Sequence, residues 1–326
     1  MENQARRFGM TVVLCTLVFR LFATGLPTRA IAALQNHTFL AFLTHLETGR
    51  DVRFSPSIGV FSPNFVESPP AQETQATLPR FTDIPEIYYS CNQKPEVEAL
   101  LEAPLTWNLY GEEPTVLILH THATESYAKK GESYRETSQY RTLDEGYNML
   151  SIGAYVAEAL TAAGIPTVQD RTLHDYPSYN GSYVHARKTL KELLKEYPTV
   201  QLVLDLHRDA VEVSYGQLHT RWDTGEEIAA QLMLVVGTNY DTWEDNLSLG
   251  LKLHAQLELQ APGITRPLQL RGQRFNQDLS PGWLLVEVGA AGNTHPEAMR
   301  TAKELVSAIV ALAEGTESKP PAKPEA

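Results

Sequence analysis

Four apolar runs along the chain predict strands buried inside a sheet. The first, residues 115–119 (TVLIL), follows Pro114 and contains only apolar or β-branched residues, which is typical of a strand covered on both faces. The core of the protein is expected around this run and the later ones. The other three cover residues 200–206, 229–236 and 283–288, and a shorter strand is predicted at residues 165–168.

Between these runs, apolar residues recur every three or four positions, which is the period of an amphipathic helix. The first predicted helix covers residues 146–163 and ends at Gly164, a residue type common just beyond helix ends. Alternating strands and helices of these lengths predict an α/β fold, with a mostly parallel central sheet and helices on both faces. The other predicted helices cover residues 183–197, 243–259 and 296–313.

The N-terminal region contains a long apolar segment, residues 9–26, interrupted by Arg20 and preceded by Arg6 and Arg7. As a helix this segment would measure roughly 27 Å, close to the ~30 Å hydrocarbon thickness of a bilayer. Positive charge before it predicts that the N-terminus stays in the cytoplasm and that the remainder is exported. We interpret the segment as an uncleaved anchor in the cell membrane. The alternative is a signal peptide cleaved at an A-x-A site, residues 30–32.

The pattern divides the chain into four regions. Residues 1–29 are a cytoplasmic stub and the transmembrane anchor, and residues 30–104 are a short juxtamembrane helix followed by a linker rich in proline. Residues 105–314 are predicted to form the folded unit. Residues 315–326, rich in proline, lysine and glutamate, are expected to be a disordered tail.

Composition and charge exclude some classes of function. The chain has 326 residues, of which 43% are apolar and 20% charged, as in ordinary globular proteins. Its net charge of -12, without a basic patch, argues against a nucleic-acid partner. The two cysteines, Cys15 and Cys91, lie far apart and predict neither a disulfide nor a cysteine-bound zinc.

Candidate metal ligands follow the first strand. His120, His122 and Glu125 occur within six residues of one another at its C-terminal end. In open α/β sheets, ligands bind where the strands end. Imidazole and carboxylate groups are zinc ligands, and a site here would need a further ligand from elsewhere in the chain.

Two later strands supply polar groups at the equivalent place. The strand at residues 200–206 contains Asp205 and leads into His207, which is followed by Arg208 and Asp209. The last strand carries Glu287 between two valines. An unpaired carboxylate is costly to bury, so Glu287 needs a partner. We interpret the set as a metal with an open position plus a separate carboxylate base. The alternative is a buried ion pair between Glu287 and Arg208 or another arginine.

Three blocks of sequence resemble the stage II sporulation protein P family: ILHTHATESY at residues 118–127, DLHRDA at 205–210 and NQDLSPGWLLVEVGAAGNT at 276–294. The resemblance implies a peptidoglycan hydrolase that acts outside the cytoplasm during engulfment of the forespore. It implies a phosphorylase/hydrolase-like architecture similar to that of zinc N-acetylmuramoyl-L-alanine amidases, one zinc ion, and both amidase and endopeptidase cleavage. It also implies as partners the membrane protein M and the lytic transglycosylase D of the same sporulation stage.

By position, the resemblance assigns His122 and His207 as zinc ligands and Glu287 as the catalytic base. Glu125 is the favoured carboxylate ligand, while Asp144 or Glu145 lies where the amidase pattern places it. His120 could replace His122 or orient the site through a hydrogen bond. Arg208 is expected to bind a substrate carboxylate or the oxyanion. The remaining candidate substrate contacts are His174, Tyr183, Arg187 and Asn276. A non-catalytic scaffold that binds the cell wall is the alternative function.

Overall fold

The computed structural model of the protein describes residues 81, 83–128, 140–213, 216–223, 225 and 227–316. All of them belong to one compact unit, Glu73–Ala326. The predicted anchor at residues 1–29 and most of the predicted linker and tail lie outside the described residues. Within the part that is described, no helix combines the length and apolar character needed to cross a membrane.

The strands form one large sheet and two small ribbons. In chain order they are β1 (Ile87–Ser90), β2 (Val116–Leu119), β3 (Thr167–Gln169), β4 (Leu202–Asp209), β5 (Glu212–Val213), β6 (Gly216–Gln217), β7 (Trp222–Asp223), β8 (Ile228–Ala229), β9 (Leu232–Gly237), β10 (Leu268–Arg271) and β11 (Trp283–Ala290). The large sheet has seven strands in the order β1-β10-β9-β11-β4-β2-β3. Neighbours are parallel except β9 and β11, which are antiparallel. The prediction of a mostly parallel sheet is confirmed.

Helices cover both faces of the sheet, as predicted. They are α1 (Val97–Glu102), α2 (Met149–Ala162), α3 (Ser182–Glu196), α4 (Trp243–Gln260) and α5 (His295–Thr316), with a short 3₁₀ helix at Gln277–Leu279. Helices α1, α2, α4 and α5 contact one another and share one large core with the sheet. On the opposite face, Ala186 and Leu190 of α3 pack against Leu117, Val203 and Trp283.

Local sequence explains where the first long helix begins and ends. Asn148 caps α2 because its side-chain oxygen accepts a hydrogen bond from the Leu150 backbone N–H at 3.0 Å. The predicted start at residue 146 is therefore three residues early. At the other end the backbone of Gly164 has φ of +88°, a conformation that glycine adopts without steric cost. Glycine beyond the helix end was thus a reliable signal.

The folded unit begins earlier than the sequence predicted. Strand β1 and helix α1, at residues 87–102, fall within the predicted linker, yet β1 pairs with β10 and α1 packs on α4. The prolines before residue 96 suggested a linker, and β1 has no buried apolar run because three of its four residues are exposed. Its partner β10, which alternates buried and half-buried residues, was also missed.

Candidate active site

The C-terminal ends of β2, β4 and β11 meet at one edge of the sheet. The strands are parallel and in register, with Leu119 beside Asp205 and His207 beside Glu287. Since side chains alternate between faces along a strand, Asp205, His207 and Glu287 lie on the same face as Val203, which contacts α3. We call this face the α3 side and the opposite one the α2 side.

Three of the predicted zinc ligands come together on the α3 side. Nδ1 of His207 lies 3.4 Å from Oε2 of Glu125. The rings of His122 and His207 contact each other edge to face, with centroids 5.2 Å apart. All three side chains are buried, and burial lowers the pKa of His122 to about 4. His122 is therefore a neutral imidazole at neutral pH, which is the form that binds a metal.

The carboxylate of Glu125 is kept ionised by its neighbours. Although burial favours the protonated acid, Arg208, His207 and His122 hold the pKa of Glu125 well below its usual value. The Arg208 backbone N–H donates to Oε2 of Glu125 at 3.2 Å, and Nη1 of Arg208 lies 3.8 Å from Oε1. Glu125 thus presents a negative charge to the two histidines.

Asp205 supports His207 from two positions earlier on the same strand, β4. Its carboxylate accepts hydrogen bonds from the backbone N–H and the hydroxyl of Thr121, at 2.8 and 2.7 Å. Nε2 of His207 lies 2.9 Å from Oδ1 of Asp205. Burial favours the neutral ring, but Asp205 and Glu125 outweigh it and raise the pKa of His207 well above its ordinary value. A carboxylate beside a histidine nitrogen is the arrangement that orients metal-binding histidines.

Glu287 brings a carboxyl group to the same place without an ion-pair partner. Its Oε2 is buried and has no hydrogen-bond partner among the described residues. Burial raises the pKa of Glu287 well above its usual value. The ion pair with Arg208 considered from the sequence is not formed, because Arg208 is directed to Glu125 and to the backbone oxygens of Ser126 and Tyr140.

His120 lies on the α2 side and does not join the other ligands. Its Nδ1 is 3.0 Å from the carbonyl oxygen of Leu206, and its Nε2 is 3.0 Å from Nε2 of Gln169. The ring also packs against Gly153 of α2, where an added Cβ would come within 2.3 Å of Nε2. Both ring nitrogens are therefore engaged by the protein, away from His122 and His207.

The alternative carboxylate ligands are also placed elsewhere. Asp144 and Glu145 are exposed. Oδ1 of Asp144 accepts the backbone N–H of Gly146 at 3.1 Å, and Glu145 forms an ion pair with Arg171. Of the three carboxylates considered, only Glu125 contacts a candidate histidine.

The predicted substrate contacts do not all lie beside the histidines of the site. Tyr183 meets His122 edge to face, with ring centroids 5.4 Å apart, and is close to the site. Arg187 forms two hydrogen bonds with Asp278, at 2.7 and 2.6 Å, and thereby ties α3 to the 3₁₀ helix. In the same contact region, Asn276 donates to the carbonyl oxygen of Tyr183 at 2.8 Å. Nε2 of buried His174 lies 2.9 Å from Oδ2 of Asp170.

Two residues at the site were missed from the sequence. The ring of Tyr179 stacks on His122, with centroids 4.4 Å apart and an interplanar angle of 21°. The guanidinium of Arg141 lies over the ring of Tyr179, with its Cζ 3.8 Å from the ring centroid. Both residues lie in loops without a periodic pattern, so no signal in the sequence connected them with the strand end.

The donor set has features that suit zinc. Nδ1 of His122 is buried and has no hydrogen-bond partner in the described part of the chain, and Nδ1 of His207 faces the Glu125 carboxylate. Two imidazoles and one carboxylate match the ligands of catalytic zinc sites. Among the described residues, however, no group of three or more His, Cys, Asp or Glu side chains has the arrangement needed to hold a metal ion. The residue types fit the metal, while their positions are not those of an assembled site.

A comparison with protein families identifies the chain's relatives. The family described as Stage II sporulation protein P (SpoIIP) matches residues 67–310, which is most of the chain. This chain belongs to the stage II sporulation protein P family. The match includes β1 and α1, in agreement with the early start of the folded unit.

One curated member of the family is the stage II sporulation protein P of Bacillus subtilis (strain 168). It is 28% identical to this chain over 207 residues, which cover 59% of this chain and 49% of the relative. The chain therefore spans about half the length of the curated relative that it matches. Over that half, the similarity agrees with the family assignment.

Similar solved structures include several amidases. The N-acetylmuramoyl-L-alanine amidase AmiC2 of Nostoc punctiforme is 13% identical with a TM-score of 0.39, covering 61% of this chain and 97% of that one. The CwlD amidase from Clostridioides difficile, solved with the GerS lipoprotein, is 15% identical with a TM-score of 0.39. The match covers 62% of this chain and 95% of that one. With TM-scores below 0.5, these similarities do not establish a shared fold.

Proposed function

We propose that this member of the family is a zinc-dependent peptidoglycan hydrolase that cleaves the amide bond between N-acetylmuramic acid and L-alanine. One observation carries the proposal. At a single sheet edge, two buried side-chain atoms lack hydrogen-bond partners among the described residues: Nδ1 of His122 and Oε2 of Glu287. Burying polar atoms without hydrogen-bond partners lowers the stability of a protein. A ligand that pairs with these atoms would offset that cost.

In this proposal His122, Glu125 and His207 hold the zinc ion. When bound, zinc polarises the scissile carbonyl and lowers the pKa of water. The protein keeps Glu125 ionised through Arg208 and keeps His122 neutral through burial. Asp205, fixed by Thr121, holds the His207 ring in place.

Glu287 acts as the base. It lies beside His207 on the neighbouring strand but does not pair with Arg208, so its carboxylate is free to accept the proton of the attacking water. The raised pKa of Glu287 favours its protonated form, which suits the second step, in which Glu287 returns the proton to the leaving amine. Tyr183, next to His122, would border the bound substrate.

The proposed activity extends to the cross-links between stem peptides, which the family resemblance implies. A peptide amide has the same reacting group as the muramoyl amide, so the same residues would serve both reactions. The membrane anchor, the place in forespore engulfment and the partners D and M stay predictions from the sequence.

The test is digestion of purified peptidoglycan by the full-length protein and by Glu287→Gln. Loss of a general base reduces the rate by about 10² to 10⁴. The variant should keep the wild-type melting curve and zinc content because Glu287 is not assigned as a ligand. Product masses show whether the muramoyl amide, the cross-link or both are cut.

A matched control is Glu304→Gln, the same chemical change on α5, where the carboxylate contacts only Gln260 among the described residues. This variant should digest peptidoglycan at the wild-type rate. Normal cleavage by Glu287→Gln would show that the base lies elsewhere. Wild-type protein that binds peptidoglycan but releases no product would instead support the scaffold.

A further inference from the structure

Arg141 is fixed beside the site by its backbone. Residues 140–142 run along residues 124–126, with the Ser126 N–H donating to the Tyr140 carbonyl at 3.0 Å and the Thr142 N–H donating to the Thr124 carbonyl at 2.8 Å. In this antiparallel contact Arg141 is paired directly with Glu125. Its position is therefore determined by the same segment that carries the proposed zinc ligand.

A stack of three side chains connects Arg141 with His122. Tyr179 lies between them, with its ring centroid 4.4 Å from that of His122 and 3.8 Å from Cζ of Arg141. A guanidinium stacked on an aromatic ring keeps its N–H groups in its own plane, at the edge of the stack. Those donors remain available to a ligand lying next to Tyr179.

Arg141 has no direct ion-pair or hydrogen-bond partner among the described residues, and Asp175 acts on its charge only at a distance. Its Nε is buried. The other arginines of this region are paired: Arg171 with Glu145, Arg187 with Asp278, and Arg208 with Glu125. A buried donor without an acceptor costs free energy, and an anionic ligand would remove that cost.

The space beside Arg141 can hold part of a peptide. An open cavity of 330 Å³ is lined by Arg141, Leu143, Tyr176 and Tyr179, among other residues. Leu143, Tyr176 and Tyr179 are large apolar side chains that are nonetheless exposed. Asp175 also lines the cavity, but its carboxylate accepts a hydrogen bond of 2.6 Å from the Thr124 hydroxyl. The lining thus offers one unpaired cation and several apolar surfaces.

We propose that Arg141 binds a free carboxylate of the substrate's stem peptide, while Tyr176 and Tyr179 pack against the peptide chain. The identity of the ligand as a stem peptide rests on the proposed function. From the sequence, Arg208 was expected to bind a substrate carboxylate or the oxyanion, but this residue is only 2% exposed and its side chain is directed to Glu125. Arg141 instead lines the cavity and stacks on Tyr179, whose ring contacts His122.

The experiment measures binding instead of cleavage. Full-length protein carrying Glu287→Gln is titrated with a soluble muramoyl peptide that has free carboxylates and with the same peptide as its carboxamide. With Arg141 present, the carboxylate form should bind about 10- to 100-fold more tightly. Arg141→Gln should remove this preference, and Arg141→Lys should retain part of it because lysine keeps the charge without the planar fork.

Arg171→Gln is the matched control, since it removes the same charge from an exposed arginine paired with Glu145. It should keep the full preference for the carboxylate form. Equal binding of both peptides to the protein with Arg141, or an unchanged preference in Arg141→Gln or Arg141→Lys, would overturn the inference. If the preference depends on Arg141 but the protein with Glu287 restored cuts neither peptide, the proposed hydrolase function is refuted. The carboxylate-binding site is supported in that case.

Discussion

His120 and His122 are two residues apart, yet they lie in opposite kinds of environment. On the α2 side, His120 contacts the carbonyl of Leu206 and the side chain of Gln169 through its two ring nitrogens. On the α3 side, His122 and Glu287 have buried polar atoms without partners among the described residues. The α2 side uses its polar groups to hold the structure together, whereas the α3 side keeps them available for a ligand.

Arg208 stabilises the structure, like His120, although it directly follows the proposed zinc ligand His207 in the chain. Its side chain is buried and contacts Glu125, Ser126 and Tyr140. It thereby joins β4 to the segment that carries the proposed ligand Glu125. Changes to the structural groups should reduce stability, and changes to the α3 side should reduce activity and zinc binding.

The largest expected effect on stability is that of Arg208→Ala. Removing one partner of a buried ion pair leaves the other charge uncompensated and typically costs about 3–5 kcal/mol. The free energy of unfolding, measured by denaturant titration, should fall by about that amount. If Arg208→Ala lowered the free energy of unfolding only as much as the control Arg171→Ala does, the structural role of Arg208 would be contradicted. That control breaks an exposed pair with Glu145 and should cost at most about 1 kcal/mol.

A smaller effect is expected from Gly153→Ala on the α2 side. The added Cβ would lie 2.3 Å from Nε2 of His120 and 2.5 Å from Nε2 of Gln169, so the helix or the ring must move. Overpacking of this kind costs about 1–3 kcal/mol. Thermal and denaturant unfolding should show the loss, while zinc content stays unchanged.

Gly250→Ala is the control for that change. Gly250 is also a buried helix glycine, but the nearest atoms to its added Cβ are side-chain carbons of Leu268 and Leu284 at 3.4 Å. The higher helix propensity of alanine, up to about 1 kcal/mol, should offset the closer packing. If Gly153→Ala were no more destabilising than Gly250→Ala, His120 would not be packed tightly against α2.

The sequence predicted the elements whose side chains are buried on both faces. Strand β2 is a continuous apolar run, and β4 and β11 are mostly apolar runs that contain Asp205 and Glu287. Nearly all residues of the three strands are buried, in agreement with that pattern. Strands β1 and β10 were missed because they are short and partly exposed. Their place in the sheet depends on pairing between distant segments, which periodicity does not encode.

The candidate site, like the fold, could be predicted only in part from the sequence. The histidines and carboxylates at strand ends are visible in the sequence, and the register brings His207 beside Glu287. The separation of His120 from His122 depends on the side of the sheet each ring occupies after the strand ends. The position of Arg141 depends on the pairing of residues 140–142 with residues 124–126, a contact between loops that no local pattern reveals.

The most direct test of the difference between the two sides is the zinc content of purified full-length protein, measured by elemental analysis for wild type, His122→Ala and His120→Ala. We expect about one equivalent in the wild type. His122→Ala should lose most of it, and His120→Ala should keep it while melting at a lower temperature. Loss of zinc in His120→Ala with retention in His122→Ala would contradict the assignment of the α3 side as the metal-binding side.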